Sequence, residues 1–201
     1  MPNSNLLINM TGIIILAAGS SSRLGKPKQN LIFNGQTLLQ RAIQTALKVN
    51  CGPVITVLGG NADLIKPTLE HFKGDIIFNA DWQQGMSSSI RRGIQHLQEN
   101  HPKTTSAILM LCDQPFVDEL VLQKLVPVNK SGAIIASGYN NTVGPPAFFD
   151  GFYFDELLSL KGNEGAKHLL LKYKKKVVTV PFDLGRVDID TVEDFEKLSG
   201  I

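Results

Sequence analysis

The chain has 201 residues, 43% of them hydrophobic and 19% charged, enough to bury a full core and a length that one globular domain accounts for. Its formal net charge is only +2, which argues against a protein built to grip nucleic acid, and the one dense basic run, Lys172 to Lys176 around Tyr173, reads as a solvated helix end. No apolar stretch reaches bilayer-spanning length, residues 1–12 hold no Lys or Arg to open a signal peptide, and Cys51 and Cys112 lack metal spacing; a cytoplasmic protein with reduced thiols and no membrane partner is expected.

Residues 1–10 read as a flexible lead-in. The first strand is Gly12 to Ala17, and it empties into Ala17, Ala18, Gly19, Ser20, Ser21 and Ser22, followed by Arg23, Lys26 and Lys28. Small residues let backbone N–H groups converge on an anion, and cations after them neutralise charge spread over several oxygens. Composition alone would also suit an ordinary βα turn; the spacing of the cations favours a triphosphate cradle. It is not a Walker loop, because five residues separate Gly19 from Gly25-Lys26 where that motif has four, and Pro27 stands where Ser or Thr should be. Nor is it a dinucleotide fingerprint, since Gly19 lacks the glycine partners.

Strands and amphipathic helices then alternate, which predicts an α/β sheet covered on both faces. Thr37 and Gln40 form a capping box ahead of a helix that buries Leu38, Leu39, Ala42, Ile43, Ala46 and Leu47. Val54 to Leu58 is a strand ending at Gly59-Gly60-Asn61, and the helix from Ala62 to about Phe72 must kink or break at Pro67. Asp75 to Phe78 is a short strand leading to Trp82, Gly85, Met86 and a helix whose first turn holds Ser87, Ser88 and Ser89. Those serines suit either capping or contact with a ribose, base edge or anion.

Ser106 to Cys112 is a continuous apolar strand that stops at Asp113-Gln114-Pro115. A carboxylate at the carboxyl end of a central strand lies where open α/β sheets bind ligands, so Asp113 is the metal candidate by position; turn formation before Pro115 is its other reading. Gly132 to Ser137 is a further strand, and Pro145 and Pro146 predict a loop or an edge before Ala147 to Phe149. Helices follow at Tyr153 to Leu160 and Gly165 to Tyr173, then a last strand at Lys176 to Pro181 and a terminal helix opened by Thr191 with Asp194. The histidines 71, 96, 101 and 168 are scattered, which favours ordinary histidines over a zinc site or a His-based nucleophile.

Taken in order, Leu16-Ala17-Ala18-Gly19, Arg23, Gly25 and Lys28, then Trp82-x-x-Gly85-Met86-Ser87-Ser88-Ser89, then Leu111 to Pro115, then Asp188-Ile189-Asp190-Thr191, the sequence resembles the MobA-like nucleotidyltransferases, and among them the molybdenum cofactor cytidylyltransferases. The resemblance runs from Thr11 to Leu198 and implies a Rossmann-like three-layer sandwich with a mainly parallel central sheet, of the nucleotide-diphospho-sugar transferase type, with residues 11–201 as one nucleotidyltransferase domain. By position it implies that Leu16 to Ser22 hold the nucleotide, that Arg23 and Lys28 bind its phosphates, and that Asp113 binds Mg²⁺ with Asp190 or Asp188. Gly59, Gly60 and Asn61, with Ser87, Ser88 and Ser89, would lie around base and ribose; Gly144, Pro145 and Pro146 would face the acceptor.

Two departures from the cytidylyltransferases fall on the acceptor side: Val143-Gly144-Pro145-Pro146 in place of Arg-Gly-His-Pro, and Gly162-Asn163 in place of Gly-Asp. The implied reaction is transfer of a nucleoside monophosphate, CMP from CTP, to a phosphorylated acceptor such as molybdenum cofactor. The same chemistry with GTP or on a phosphosugar, and a non-catalytic nucleotide-binding carrier for a molybdoenzyme client, are the alternatives. A monomer is expected.

Overall fold

In the computed structural model, residues 10–21, 24–129, 131–189 and 191–199 are described. Seven strands form one sheet: β1 (Met10–Ala17), β4 (Val54–Leu58), β5 (Asp75–Phe78), β6 (Thr104–Leu111), β7 (Ile134–Tyr139), β8 (Thr142–Asp150) and β9 (Val177–Pro181), in the order β5-β4-β1-β6-β8-β7-β9. The short strands β2 (Ile32–Phe33) and β3 (Gln36–Thr37) pair as a separate hairpin. β5, β4, β1 and β6 run parallel, β8 is antiparallel to both its neighbours, and β9 is again parallel to β7. This is the mainly parallel α/β sandwich the sequence implies.

β1 sits centrally and is buried on both faces, which is why its sequence is an unbroken apolar run rather than an alternating one. Ile13, Ile15 and Ala17 point into the cluster beneath α1 (Leu38–Val49) and α4 (Glu119–Leu125), while Ile14 points into the opposite cluster beneath α3 (Met86–Asn100), α5 (Phe154–Ser159) and α6 (Ala166–Lys172). The capping box that opens α1 is formed, with Gln40 N–H donating to Thr37 Oγ1 at 3.1 Å and Thr37 N–H to Gln40 Oε1 at 3.0 Å. The helix after β4 breaks where proline predicts: α2 is only Ala62–Ile65, and Lys66–Leu69 continues as a 3₁₀ turn. A small third cluster packs Leu24 and Leu31 against Ile189 and Leu198, the latter on the terminal helix α7 (Val192–Ser199), and so ties the segment after β1 to the chain's last turn. No helix among the described residues is long and apolar enough to cross a membrane.

One expectation fails. Pro145 and Pro146 lie inside β8, between two other strands, not in a loop or at an edge. The sheet tolerates them because pairing with β6 stops at Ala147, and the register with β7 jumps from Ala136↔Ala147 to Ser137↔Gly144. The two residues without N–H groups therefore occupy a bulge where no ladder donor is required, and Ser137 Oγ donates to the Pro146 carbonyl at 2.9 Å. The real turn is Asn140-Asn141, both at positive φ (49° and 57°), the conformation of a two-residue hairpin.

Candidate functional site

The sheet order reverses between β1 and β6, and the cleft lies beyond their carboxyl ends, where such sheets leave room for a ligand. It measures about 390 Å³ and is lined by the end of β1 with its loop (Leu16 to Ser20), by Lys28 and Gln29, by Trp82 to Ser89 in part, by Leu111 to Asp113, and by Asn163.

The loop after β1 is held by its carbonyl groups. Gln29, fully buried, donates through Nε2 to the carbonyls of Ala17 (2.8 Å) and Gly19 (3.0 Å), and its Oε1 accepts from Ser21 Oγ at 3.3 Å. Gly60 N–H donates to Ala18 O at 3.1 Å, and Asn61 Nδ2 to Ser20 O at 2.8 Å. With four successive carbonyls engaged by protein donors, the exposed Gly19 and Ser20 keep N–H groups that have no protein acceptor among the described residues. Ser21, at φ 54°, turns the chain so that its hydroxyl accepts from Lys28 N–H at 3.0 Å.

Lys28 Nζ donates to Asp113 Oδ2 across the mouth of the cleft, joining residues 85 positions apart. The side chains are 17% and 11% exposed, so this pair is largely withdrawn from water. Asp113 Oδ1 is buried without a hydrogen-bond partner among the described residues. A buried carboxylate oxygen left without a donor is a costly arrangement, and a hard divalent cation would complete it; the residues present fit such an ion. Ile189 N–H donates to the Asp113 carbonyl at 3.1 Å, which brings the exposed Asp188 beside the strand end. Both carboxylates act on Tyr139: burial first, then Asp188, push its hydroxyl above the usual tyrosine range, with a smaller push from Asp113.

Other sequence candidates are distributed differently. Ser22, Arg23 and Asp190 lie outside the described residues. Gly59, Gly60 and Asn61 stand behind the loop rather than in the cleft. A Cβ on Gly59 would come within 2.6 Å of Ala18 O and 2.7 Å of Trp82 Cβ, and one on Gly60 within 3.0 Å of the Trp82 ring; glycine here lets the tryptophan pack onto the loop. Of the three serines, only Ser89 lines the cleft. Ser88 and Ser89 accept from Asn79 Nδ2 at 2.8 and 3.0 Å, and Ser87 accepts from Arg91 Nη1 at 3.0 Å, so their hydroxyls serve the scaffold. The cap of α3 is Gly85, whose φ of 98° and close approach to the Gly162 carbonyl admit no side chain. Gly144, Pro145 and Pro146 do not line this cleft: Gly144 lies under the Tyr139 hydroxyl, and Pro145 O accepts from Gln114 Nε2 at 3.2 Å.

Two residues lining the cleft, Gln29 and Gln83, were missed from sequence, and a third, Asn163, was named there but assigned elsewhere. Asn163 belongs to a departure assigned above to the acceptor side, yet it shares the cleft with the β1 loop. Glutamine carries no periodic or spacing signal, whereas Asn163 was marked by its departure from the cytidylyltransferase pattern.

Cys112 also lines the cleft, and burial, followed by the neighbouring Asp113 charge, pushes its thiol up to about 12. At pH 8 only about one molecule in ten thousand then carries the thiolate. Iodoacetamide applied to the native protein at that pH should leave Cys112 unmodified by mass spectrometry, whereas in guanidinium both cysteines should react. Native modification of Cys112 would contradict this environment.

The profile of the MobA-like NTP transferase domain matches residues 13–182. The chain is 29% identical to the nicotine blue oxidoreductase of Paenarthrobacter nicotinovorans, over 94% of this chain and 96% of that protein. It is 28% identical to the molybdenum cofactor cytidylyltransferase of Escherichia coli strain K12, over 90% and 92% of the two. Among solved structures, Rv0371c of Mycobacterium tuberculosis H37Rv superposes with a TM-score of 0.85 at 30% identity, covering 96% of this chain and 98% of that one. A complex of the same protein with manganese gives a TM-score of 0.78 at 28% identity, over 94% and 97%. A match that begins in β1, ends just past β9 and spans the loops lining the cleft places the chain in the MobA-like NTP transferase family.

Proposed function

We propose that the chain transfers a nucleoside monophosphate, CMP from CTP, to a phosphorylated acceptor, with molybdenum cofactor as the first candidate, and releases pyrophosphate. The observation that carries this reading is the meeting of Lys28 and Asp113 at the mouth of the cleft, with Asp113 Oδ1 left unpartnered beside the loop after β1. The cytidylyltransferase relative supports the choice of donor and acceptor.

In this proposal the triphosphate lies on the N–H groups of Gly19 and Ser20, whose carbonyls are already held elsewhere. Lys28 compensates Asp113 in the structure as it stands; when the triphosphate arrives, its amine moves to the phosphate oxygens and neutralises charge there. Arg23 joins it. A divalent cation, Mg²⁺ in this reading, would be held by Asp113 with Asp188 or Asp190, and when bound it supplies further charge neutralisation on the phosphates. The manganese complex of the mycobacterial relative supports a divalent ion. The acceptor's terminal phosphate, with its second pKa of about 6, is largely dianionic at neutral pH and needs no general base. Trp82 and Ser89 border the space left for base and ribose, and Asn163 the space between donor and acceptor.

The relative named an oxidoreductase supports a second reading, in which the same cleft serves redox chemistry. Phosphoryl transfer is favoured because it demands charge relief at phosphorus, which an amine and a cation-ready carboxylate meet; electron transfer makes no such demand.

The deciding experiment is a pyrophosphate-release panel of the four nucleoside triphosphates against molybdenum cofactor and several phosphorylated acceptors, with and without Mg²⁺. Signal from CTP and molybdenum cofactor alone is the expected result. Signal with GTP or a phosphosugar would keep the chemistry and move the substrate. Nucleotide binding without pyrophosphate from any pair would overturn catalysis and leave a carrier.

A further inference from the structure

The four histidines, scattered along the sequence, are not all scattered in space. Asp75 is the first residue of β5, the edge strand; His96 lies in the last two turns of α3, and His101 is that helix's C-cap. Fold and sequence spacing bring them to one point. His96 Nε2 lies 2.8 Å and His101 Nε2 2.6 Å from the same carboxylate oxygen, Asp75 Oδ2, and one ligand atom from each residue falls within 4.8 Å of the others. The two rings meet edge to face, with centroids 6.1 Å apart.

Hydrogen bonding alone does not account for this convergence well. Two imidazoles share one oxygen, while Asp75 Oδ1 accepts from no described residue. Two ring nitrogens and one carboxylate oxygen gathered at a point make a borderline donor set suited to zinc and neighbouring divalent transition ions. Zinc–nitrogen and zinc–oxygen bonds of about 2.0–2.2 Å in a tetrahedron place ligand atoms about 3.3 Å apart, so each histidine nitrogen need draw back from Asp75 Oδ2 by only about 0.5–0.7 Å. The side chains are 15%, 28% and 36% exposed for His96, His101 and Asp75, which leaves an entry path and room for water as fourth ligand.

We infer that Asp75, His96 and His101 form a zinc-class metal site that pins the C-terminus of α3 to the edge of the sheet. It is separate from the cleft. α3 spans 15 residues, about 22 Å, between the turn that borders the cleft and this cluster. The bound ion would have two neutral imidazoles, one carboxylate and a water, and its role there is structural: it joins β5, otherwise bordered on one side only, to the helix whose first turn carries Ser89.

The test is a calorimetric titration of the full, untagged, chelator-treated chain with zinc ion. One equivalent should bind and raise the melting temperature. His101→Gln and Asp75→Asn should each weaken that binding at least about tenfold, while Asp113→Asn should leave it intact. On the wild type itself, which requires no variant to fold, zinc should shift the imidazole NMR signals of His96 and His101 and leave those of His71 and His168 in place. Absence of binding, or binding lost in Asp113→Asn and retained in His101→Gln, would overturn the assignment without touching the transferase reading, which depends on pyrophosphate release and not on this cluster.

Discussion

Asp113→Ala should slow pyrophosphate release by at least about a hundredfold, the usual cost of removing a preorganised charge stabiliser, while the chain stays folded. The two effects separate because of how Asp113 is held. Its side chain bonds Lys28 through Oδ2 and, among the described residues, nothing through Oδ1. Its contact with the last turn is through the main chain, as acceptor from Ile189 N–H, and survives any substitution. Removing the carboxylate discards a buried unsatisfied oxygen along with a mostly buried ion pair, and the Lys28 amine, on a side chain 17% exposed, lies within reach of water. Stability should therefore change by no more than about 1 kcal/mol in either direction. Asp113→Asn, which keeps the shape and loses the charge, should behave alike. The check is a pyrophosphate assay beside a thermal melt on the same preparations. Near wild-type turnover in Asp113→Ala would remove the carboxylate from the mechanism, and a fall of several kcal/mol would recast it as a structural residue.

What sequence revealed follows from how local each signal is. The β1 loop was legible because its apolar run, small residues and cations are contiguous, and Asp113 because a carboxylate ending a buried strand is conspicuous by position. Their meeting was not legible: Lys28 reaches Asp113 only because β1 and β6 pair in parallel with Leu16 opposite Leu111. Ser87 and Ser88 looked available for a ligand, but the partners that consume their hydroxyls, Arg91 and Asn79, carry no recognisable spacing. The prolines of β8 were misplaced because a bulge that dispenses with N–H donors is a property of the neighbouring strand's register as much as of the prolines themselves. The Asp75, His96 and His101 cluster draws on an edge strand and a helix end, and no one-dimensional period links them.

Gln29 is the residue on which the loop turns, and Gln29→Leu should cost ten- to a hundredfold in kcat/KM for the nucleotide together with about 2 kcal/mol of stability. Leucine fills much of the same volume, so the loss is of bonds rather than packing. The amide nitrogen has two protons and both are used, on Ala17 O and Gly19 O, while the amide oxygen accepts from Ser21. In a fully buried position, stranded carbonyl partners cost about 1–3 kcal/mol each when water cannot replace the donor; Gly19 is exposed enough to recover water and Ala17 is not. Once released, the Gly19 peptide can rotate, and the N–H groups of Gly19 and Ser20 no longer point together at an anion; a misplacement of about 1 Å is enough to cost a hundredfold. Gln29→Glu is the sharper variant, because it keeps the size, removes both donors and sets a carboxylate against two carbonyl oxygens. Its defect should exceed that of leucine in both the melt and the KM for the triphosphate. If Gln29→Glu instead retained wild-type KM and melting temperature, the loop would be held by Gly60 and Asn61 alone, and the anion geometry would rest on the strand end rather than on this amide.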